Sequence, residues 1–207
     1  ILGGAGTLIK NNSNGSVFAG GGNNNVVESD SAYSATIAGV DNDVSGNYSV
    51  VIGGRLNETN NEYCGIFGGL QNTVSSFYAT ILGGNNNEIV NAGESSSNSS
   101  IIGANLSAIS GSISSVVCGG GENRIGEPSE YSMIGAGYRN LVRGTYNAII
   151  AGEDCITSGT LAAIVGSNQS VISGATTSRS VILGGTINKI TGVTSVIFGG
   201  DNNVAGG

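Results

Sequence analysis

Tyr48, Tyr63 and Tyr78 recur every 15 residues and form the most regular set of side chains with chemistry to offer. A phenol ring buries apolar area while its hydroxyl stays wet, so such a row suits stacking along one edge, with a ligand-facing strip as the sharper reading. Most other chemistry lacks its residues. The 207 residues include no His, which removes Ser-His-Asp and Cys-His nucleophiles. Carboxylates are dispersed, and the densest group, Glu122, Glu127 and Glu130, is adequately explained as a solvated face. Gly119-Gly120-Gly121 is not followed by the Lys-Ser/Thr of a phosphate loop. Gly199-Gly200-Asp201 has a carboxylate where other copies put Asn, Arg or Leu, against a calcium-binding array. Cys64, Cys118 and Cys155 show no Cys-x-x-Cys spacing, and Cys118, standing in for an aliphatic residue, reads as a buried, inert thiol. The sequence therefore predicts no catalytic residue, no cofactor, no metal site and no enzyme.

What must position the tyrosines is a repeat. Thirteen times, at intervals of 14 to 20 residues, two apolar residues precede two small ones, usually Gly-Gly. The first apolar position includes Ile37, Val51, Ile66, Ile81, Ile101, Met133, Ile149, Ile164, Ile182 and Ile197. The second includes Ile52, Phe67, Leu82, Ile102, Cys118, Ile150, Leu183 and Phe198. Gly53-Gly54, Gly68-Gly69, Gly83-Gly84 and Gly184-Gly185 follow, and then Asn24, Asn57, Asn72, Asn87 and Asn188. A unit this short cannot bury its own apolar face and must stack on its neighbours.

Composition narrows the fold. There are 37 Gly, one Pro, no Trp and 10% charged residues, which disfavours helical bundles and ordinary enzyme folds. Gly, Ser and Asn between the motifs would suit a disordered chain, but 39% hydrophobic residues held in register would not. The net charge is −7 and the seven Lys and Arg are scattered singly, so nucleic acid is not an expected partner. No apolar run approaches the length of a membrane-spanning helix. The chain starts inside one motif and ends just after another, which suggests a segment of a longer fibrous protein.

Each copy supplies a β-favouring run, small residues, an Asn-rich turn and a second short run such as Thr73-Val74-Ser75. That predicts one coil of a parallel β-solenoid, with residues 1–207 as a single repeat domain. Gly at corners accepts positive φ and close backbone approach. Asn repeated on successive coils would stack into an amide ladder, with Asn23-Asn24-Asn25 and Asn85-Asn86-Asn87 supplying rungs. Neighbouring strand residues point to opposite faces, so the interior receives only one member of each apolar pair. The other set forms a stripe larger than monomers usually expose, which predicts burial against copies of the same chain in a closed cyclic assembly. Insertions at Asn91 to Ser99 and Glu127 to Glu130 are expected to bulge outward as loops.

The units Tyr48-Ser-Val-Val-Ile-Gly53-Gly54, Ala79-Thr-Ile-Leu-Gly83-Gly84 and Ser195-Val-Ile-Phe-Gly199-Gly200 resemble the head repeats of trimeric autotransporter adhesins of the YadA type. The resemblance implies a left-handed parallel β-roll, a homotrimer, and a cell-surface fibre head that attaches to a host matrix protein or surface glycan. Similar repeats also suit phage or large-virus fibres on a virion surface, and a purely structural filament is the remaining alternative. No ligand-binding residue carries across, because the shared motif residues are structural.

Overall fold

A computed structural model describes residues 4–10, 12–90, 98–174 and 179–206, without the side chains of residues 17–20. The described chain is all-β, with no helix, and its parallel strands stack as a β-solenoid of about 12 turns. Two units divide it, Ile1–Asn105 and Leu106–Gly207.

In the first unit successive strands alternate between two sheets. One sheet contains Ala35–Val40, Val50–Ile52, Gly65–Ile66, Thr80–Leu82 and Ser100–Ile102; the other contains Val26–Val27, Asp43–Val44, Glu58–Thr59, Thr73–Ser75 and Glu88–Val90. Register follows the repeat. Thr36, Val51, Ile66, Ile81 and Ile101 lie side by side in the first sheet, as do Val27, Val44, Thr59, Val74 and Ile89 in the second. All ten are buried. The second unit repeats the plan with Val117, Ile134, Ile149, Ile164, Ile182 and Ile197 buried in one sheet, and Ile109, Ile125, Val142, Thr157, Ile172 and Ile190 in the other.

One turn is two similar half-turns. Tyr48-Ser49-Val50-Val51 and Leu56-Asn57-Glu58-Thr59 each place a left-handed residue (φ +55° and +56°), a buried small polar residue, an outward residue and an inward one in that order. The left-handed position therefore falls to Tyr, Leu, Gln and Arg, at a cost of about 1–2 kcal/mol each, as well as to Gly and Asn, which adopt it readily. Their amides donate backward along the stack, Tyr48 to Ala32 O (3.0 Å) and Leu56 to Val40 O (3.0 Å), while strand amides donate forward. Each corner thus ties its turn to the turns on both sides.

The Gly-Gly pair has two distinct jobs. The first glycine needs only its positive φ: a Cβ on Gly53 would meet nothing within 4 Å. The second lies against the next turn, so a Cβ on Gly54 would come 2.3 Å from Gly69 O, and one on Gly69 would come 2.3 Å from Gly84 O.

Several expectations shift by one residue. Ile37 aligns with Ile52 and points outward, and Thr36 takes its place inside. Met133 is outward and Ile134 inward, because Ile134 aligns with Ile149. The strand Arg124–Glu130 continues through the Glu127 to Glu130 insertion, with a register irregularity after Ile125. Asn91 to Ser97 lie outside the described residues, so that insertion is not assigned a structure.

Candidate functional site

The buried corners hold the most organised polar chemistry in the molecule. Asn25, Asn42, Asn57, Asn72 and Asn87 form an amide ladder through the first unit, all buried. Asn72 shows the pattern: its backbone N–H and its Nδ2 both donate to Asn57 Oδ1 (3.1 Å each), and Nδ2 also donates to Gly84 O (3.1 Å). No amide group is stranded, so the ladder escapes the desolvation penalty of buried polar atoms. Asn25 and Asn87 are the rungs drawn from the two Asn triplets. Asn24 is not, since it occupies the left-handed position (φ +52°) and donates to Asp41 on the surface.

The opposite corner carries Ser34, Ser49, Cys64 and Ala79, which the sequence analysis did not read as a corner. Ser49 Oγ accepts from Cys64 N–H (3.0 Å) and donates to Asn61 O (2.8 Å), and Cys64 Sγ donates to Ser76 O (3.0 Å). Burial pushes the Cys64 thiol up to about 11. The signal for this corner was a small residue directly after each tyrosine. Cys118, expected inside, is exposed, because it follows the inward Val117 and takes the outward place.

The outward members of the apolar pairs form an exposed column. Ile37, Ile52, Phe67, Leu82 and Ile102 project from successive strands of one face in the first unit, each 36–47% exposed. Phe67 folds over Gly65, where a Cβ would meet its ring at 3.0 Å. The second unit exposes Ile150, Leu183 and Phe198 in the same way, with Phe198 82% exposed. Their partners Val51, Ile66, Ile81, Ile101, Ile149, Ile164, Ile182 and Ile197 are the inward set. The pairs thus divide between interior and surface, as opposite-facing strand neighbours must.

The tyrosines stack. Tyr33, Tyr48, Tyr63 and Tyr78 have ring centroids 5.2, 5.0 and 4.7 Å apart with planes within 10°, and Tyr131 and Tyr146 stack at 5.1 Å. Tyr48 and Tyr63 have a neighbouring ring on both faces, and a Cβ on Gly15 would touch Tyr33 at 2.7 Å. Between stacked rungs a flat sugar ring therefore finds no free aromatic face. Burial, followed by Tyr78, Tyr48 and Glu62, raises the Tyr63 phenol above its ordinary value.

Charge differs between the units. Residues 1–105 hold eight carboxylates against two cations, and residues 106–207 hold six against five. In the first unit Asp43 aligns with Glu58. Partial burial and then Glu28 and Glu58 push the Asp43 carboxyl up to about 6, against the opposing pull of Lys10. Lys10 pairs with Glu28 (2.5 Å), and Arg139 pairs with Asp154 (2.6 Å). Among the described residues no group of three or more Cys, Asp or Glu is placed to hold a metal ion, and no helix is long and apolar enough to cross a membrane.

Fold and surface together define a parallel β-solenoid with hydrogen-bonded corners, an apolar outer column and a tyrosine ladder. In comparison with known proteins the chain matches no family model and no curated protein.

Proposed function

We infer that the chain is part of an extracellular fibre head on a cell or virion surface, built as a left-handed homotrimer and working by attachment to a host matrix protein or surface glycan. The observation that carries this reading is the outward apolar column of Ile37, Ile52, Phe67, Leu82 and Ile102. Rungs about 4.8 Å apart make it a continuous apolar strip, of the kind that soluble monomers cover by association. A cyclic assembly presents the same strip to every partner, and three copies of a repeated surface give avidity from individually weak contacts.

Sedimentation at micromolar concentration tests the assembly. The wild-type chain is expected at trimer mass and the double variant Phe67→Asp/Leu82→Asp at monomer mass; a wild-type monomer overturns the reading. Retention on immobilised matrix protein or glycan then tests attachment, with the monomeric variant expected to bind at least about 100-fold more weakly through lost avidity.

A further inference from the structure

The geometry points to the tyrosine ladder as a site of oxidative cross-linking, in which a peroxidase using hydrogen peroxide joins successive coils through dityrosine bonds. Three observations meet here. The rings of Tyr33, Tyr48, Tyr63 and Tyr78 lie in register at 5.2, 5.0 and 4.7 Å, and those of Tyr131 and Tyr146 at 5.1 Å. All six are 42–63% exposed, so the hydroxyl edge and the ortho carbons beside it are open to solvent. Their backbones are fixed by the corner hydrogen bonds, Tyr48 to Ala32 O, Tyr63 to Asn47 O and Tyr146 to Glu130 O.

The chemistry balances. One hydrogen peroxide is reduced to two waters by taking one phenolic hydrogen atom from each of two tyrosines. The two phenoxyl radicals pair their electrons in a new carbon–carbon bond between ortho carbons. Each of those carbons then passes its hydrogen, as a proton, to its own ring oxygen, which restores both phenols. Two hydrogens leave per link. The rings must turn outward about their side-chain bonds to meet edge to edge, and their exposed edges leave room for that motion. Partners held one coil apart react at a far higher effective concentration than separate molecules. A link between rungs ties together backbone segments 15 residues apart without changing the fold.

Tyr138 is the internal control. It is exposed like the others, but it donates its hydroxyl to Glu122 (2.5 Å) and lies under the Arg139 guanidinium, 4.9 Å from the ring centroid. Among the described residues no tyrosine ring stacks on it.

The test treats an equal mixture of light and heavy-isotope chains with a haem peroxidase and hydrogen peroxide, then maps linked peptides by mass spectrometry. Same-isotope links are expected for Tyr33 to Tyr48, Tyr48 to Tyr63, Tyr63 to Tyr78 and Tyr131 to Tyr146, each two hydrogens lighter than its parts. Links through Tyr138 are expected at least about 10-fold less often, the advantage lying with pre-positioned partners. Tyr63→Phe should remove both links at that rung and leave Tyr33 to Tyr48 and Tyr131 to Tyr146 intact. In denaturant the preference over Tyr138 should vanish. Absence of dityrosine, Tyr138 links at equal yield, mixed-isotope links alone, or selectivity that survives denaturant each overturns the inference. The outcome does not depend on trimer formation, since a monomer carries the same ladder.

Discussion

The two corners of the first unit differ in residue type, Asn on one and Ser, Cys or Ala on the other, and the second unit mixes them. There Asn147 stands on the tyrosine corner, and Cys155 and Ser170 stand on the asparagine corner. The geometry survives the exchange. Asn147 Nδ2 donates to Gly159 O (3.1 Å) as Ser132 Oγ donates to Gly144 O (3.0 Å), both 12 residues on. Asn147 Oδ1 accepts from Ala162 N–H (2.8 Å) as Ser132 Oγ accepts from Asn147 N–H (3.2 Å). A polar corner side chain therefore both donates and accepts along the stack, while buried Ala79 and Ala162 fill the same place by size alone. What distinguishes the types lies three residues earlier. The corner asparagines 25, 42, 57, 72, 87, 123, 140, 147, 188 and 203 are each preceded at that distance by a glycine of positive φ. Ser49 and Cys155 are preceded by Gly46 and Gly152, whose φ is not positive, and Ser107 and Ser170 by Ala104 and Ser167. The amide explains the pairing, since a Cβ on Gly54 would lie 2.5 Å from Asn57 Nδ2. The longer side chain occupies the space that the glycine leaves, and a hydroxyl does not need it.

The largest effect should come from breaking the donor half of a corner. Asn72→Asp keeps shape but turns a donor into a carboxylate oxygen facing Asn57 Oδ1, Gly68 O and Gly84 O. Burying that charge among acceptors should cost at least about 3 kcal/mol, against about 1–2 kcal/mol for Asn72→Ser. Urea unfolding of both variants measures the gap. Equal losses would mean that volume, not donation, defines the corner.

A double-mutant cycle sharpens the glycine rule. Gly69→Ser should be severe on its own, because its Cβ would meet Gly84 O at 2.3 Å and Asn72 Nδ2 at 2.5 Å. Combined with Asn72→Ser it recreates the Ser-x-x-Ser arrangement of Ser167 and Ser170, whose hydroxyls bond at 2.6 Å. The double variant is expected to be more stable than the sum of the singles by about 1–2 kcal/mol, the range typical of residues in contact. Gly68→Ala, with only Ile52 O at 3.6 Å, should cost about 1 kcal/mol through its left-handed backbone alone. Additive behaviour at positions 69 and 72 would break the proposed pairing.

These corners also mark where the sequence was legible and where it was not. The stacking, the parallel strands, the opposite fates of Ile66 and Phe67 and the rungs Asn57, Asn72, Asn87 and Asn188 followed from period and type, because hydrophobic register is a property of sequence spacing. The serine corner did not, since Ser34 and Ser49 are small residues in a chain full of serine and only their position after a left-handed tyrosine marks them. Nothing in the residue type announces that Tyr48 or Leu56 will adopt positive φ; tertiary hydrogen bonds impose it. Cys118 stood in the right register and was read as inward only because it replaces an aliphatic residue, whereas Ile37 and Met133 were misplaced for a shared reason. A strand reads inside from outside with a period of two, so one residue of slip inverts every assignment.

Charge offers a smaller, pH-dependent difference between the units. The Asp43 carboxyl is raised to about 6 from 3.8, and its Oδ1 is buried without a hydrogen-bond partner. The folded state then holds a proton that the unfolded chain releases, so the stabilising contribution is complete below 3.8 and is lost as pH rises through about 6. Because the group is only half-buried, the effect should be about 1 kcal/mol after solvent screening. Asp43→Asn should raise stability by that amount at pH 7 and flatten the profile between 3.8 and 6. An unchanged profile would place the pH dependence elsewhere.

The smallest prediction concerns the left-handed corner positions themselves. Ile187 holds φ +55° at the place taken by Leu56, Gln71 and Asn86 in the first unit and by Asn202 one turn later. A β-branched residue is the poorest occupant of that conformation and Asn among the best. Ile187 is 49% exposed, so its apolar burial in a single chain is modest. Ile187→Asn should therefore stabilise the fold by ~0.5–1 kcal/mol, the relief of backbone cost less the lost burial. Thermal unfolding of the variant across a range of protein concentrations reads both terms. A loss of stability that grows with concentration would mean that the isoleucine is covered by another chain in the assembly, and that this corner, with Leu56 and Leu106 at the equivalent left-handed place, belongs to a contact surface.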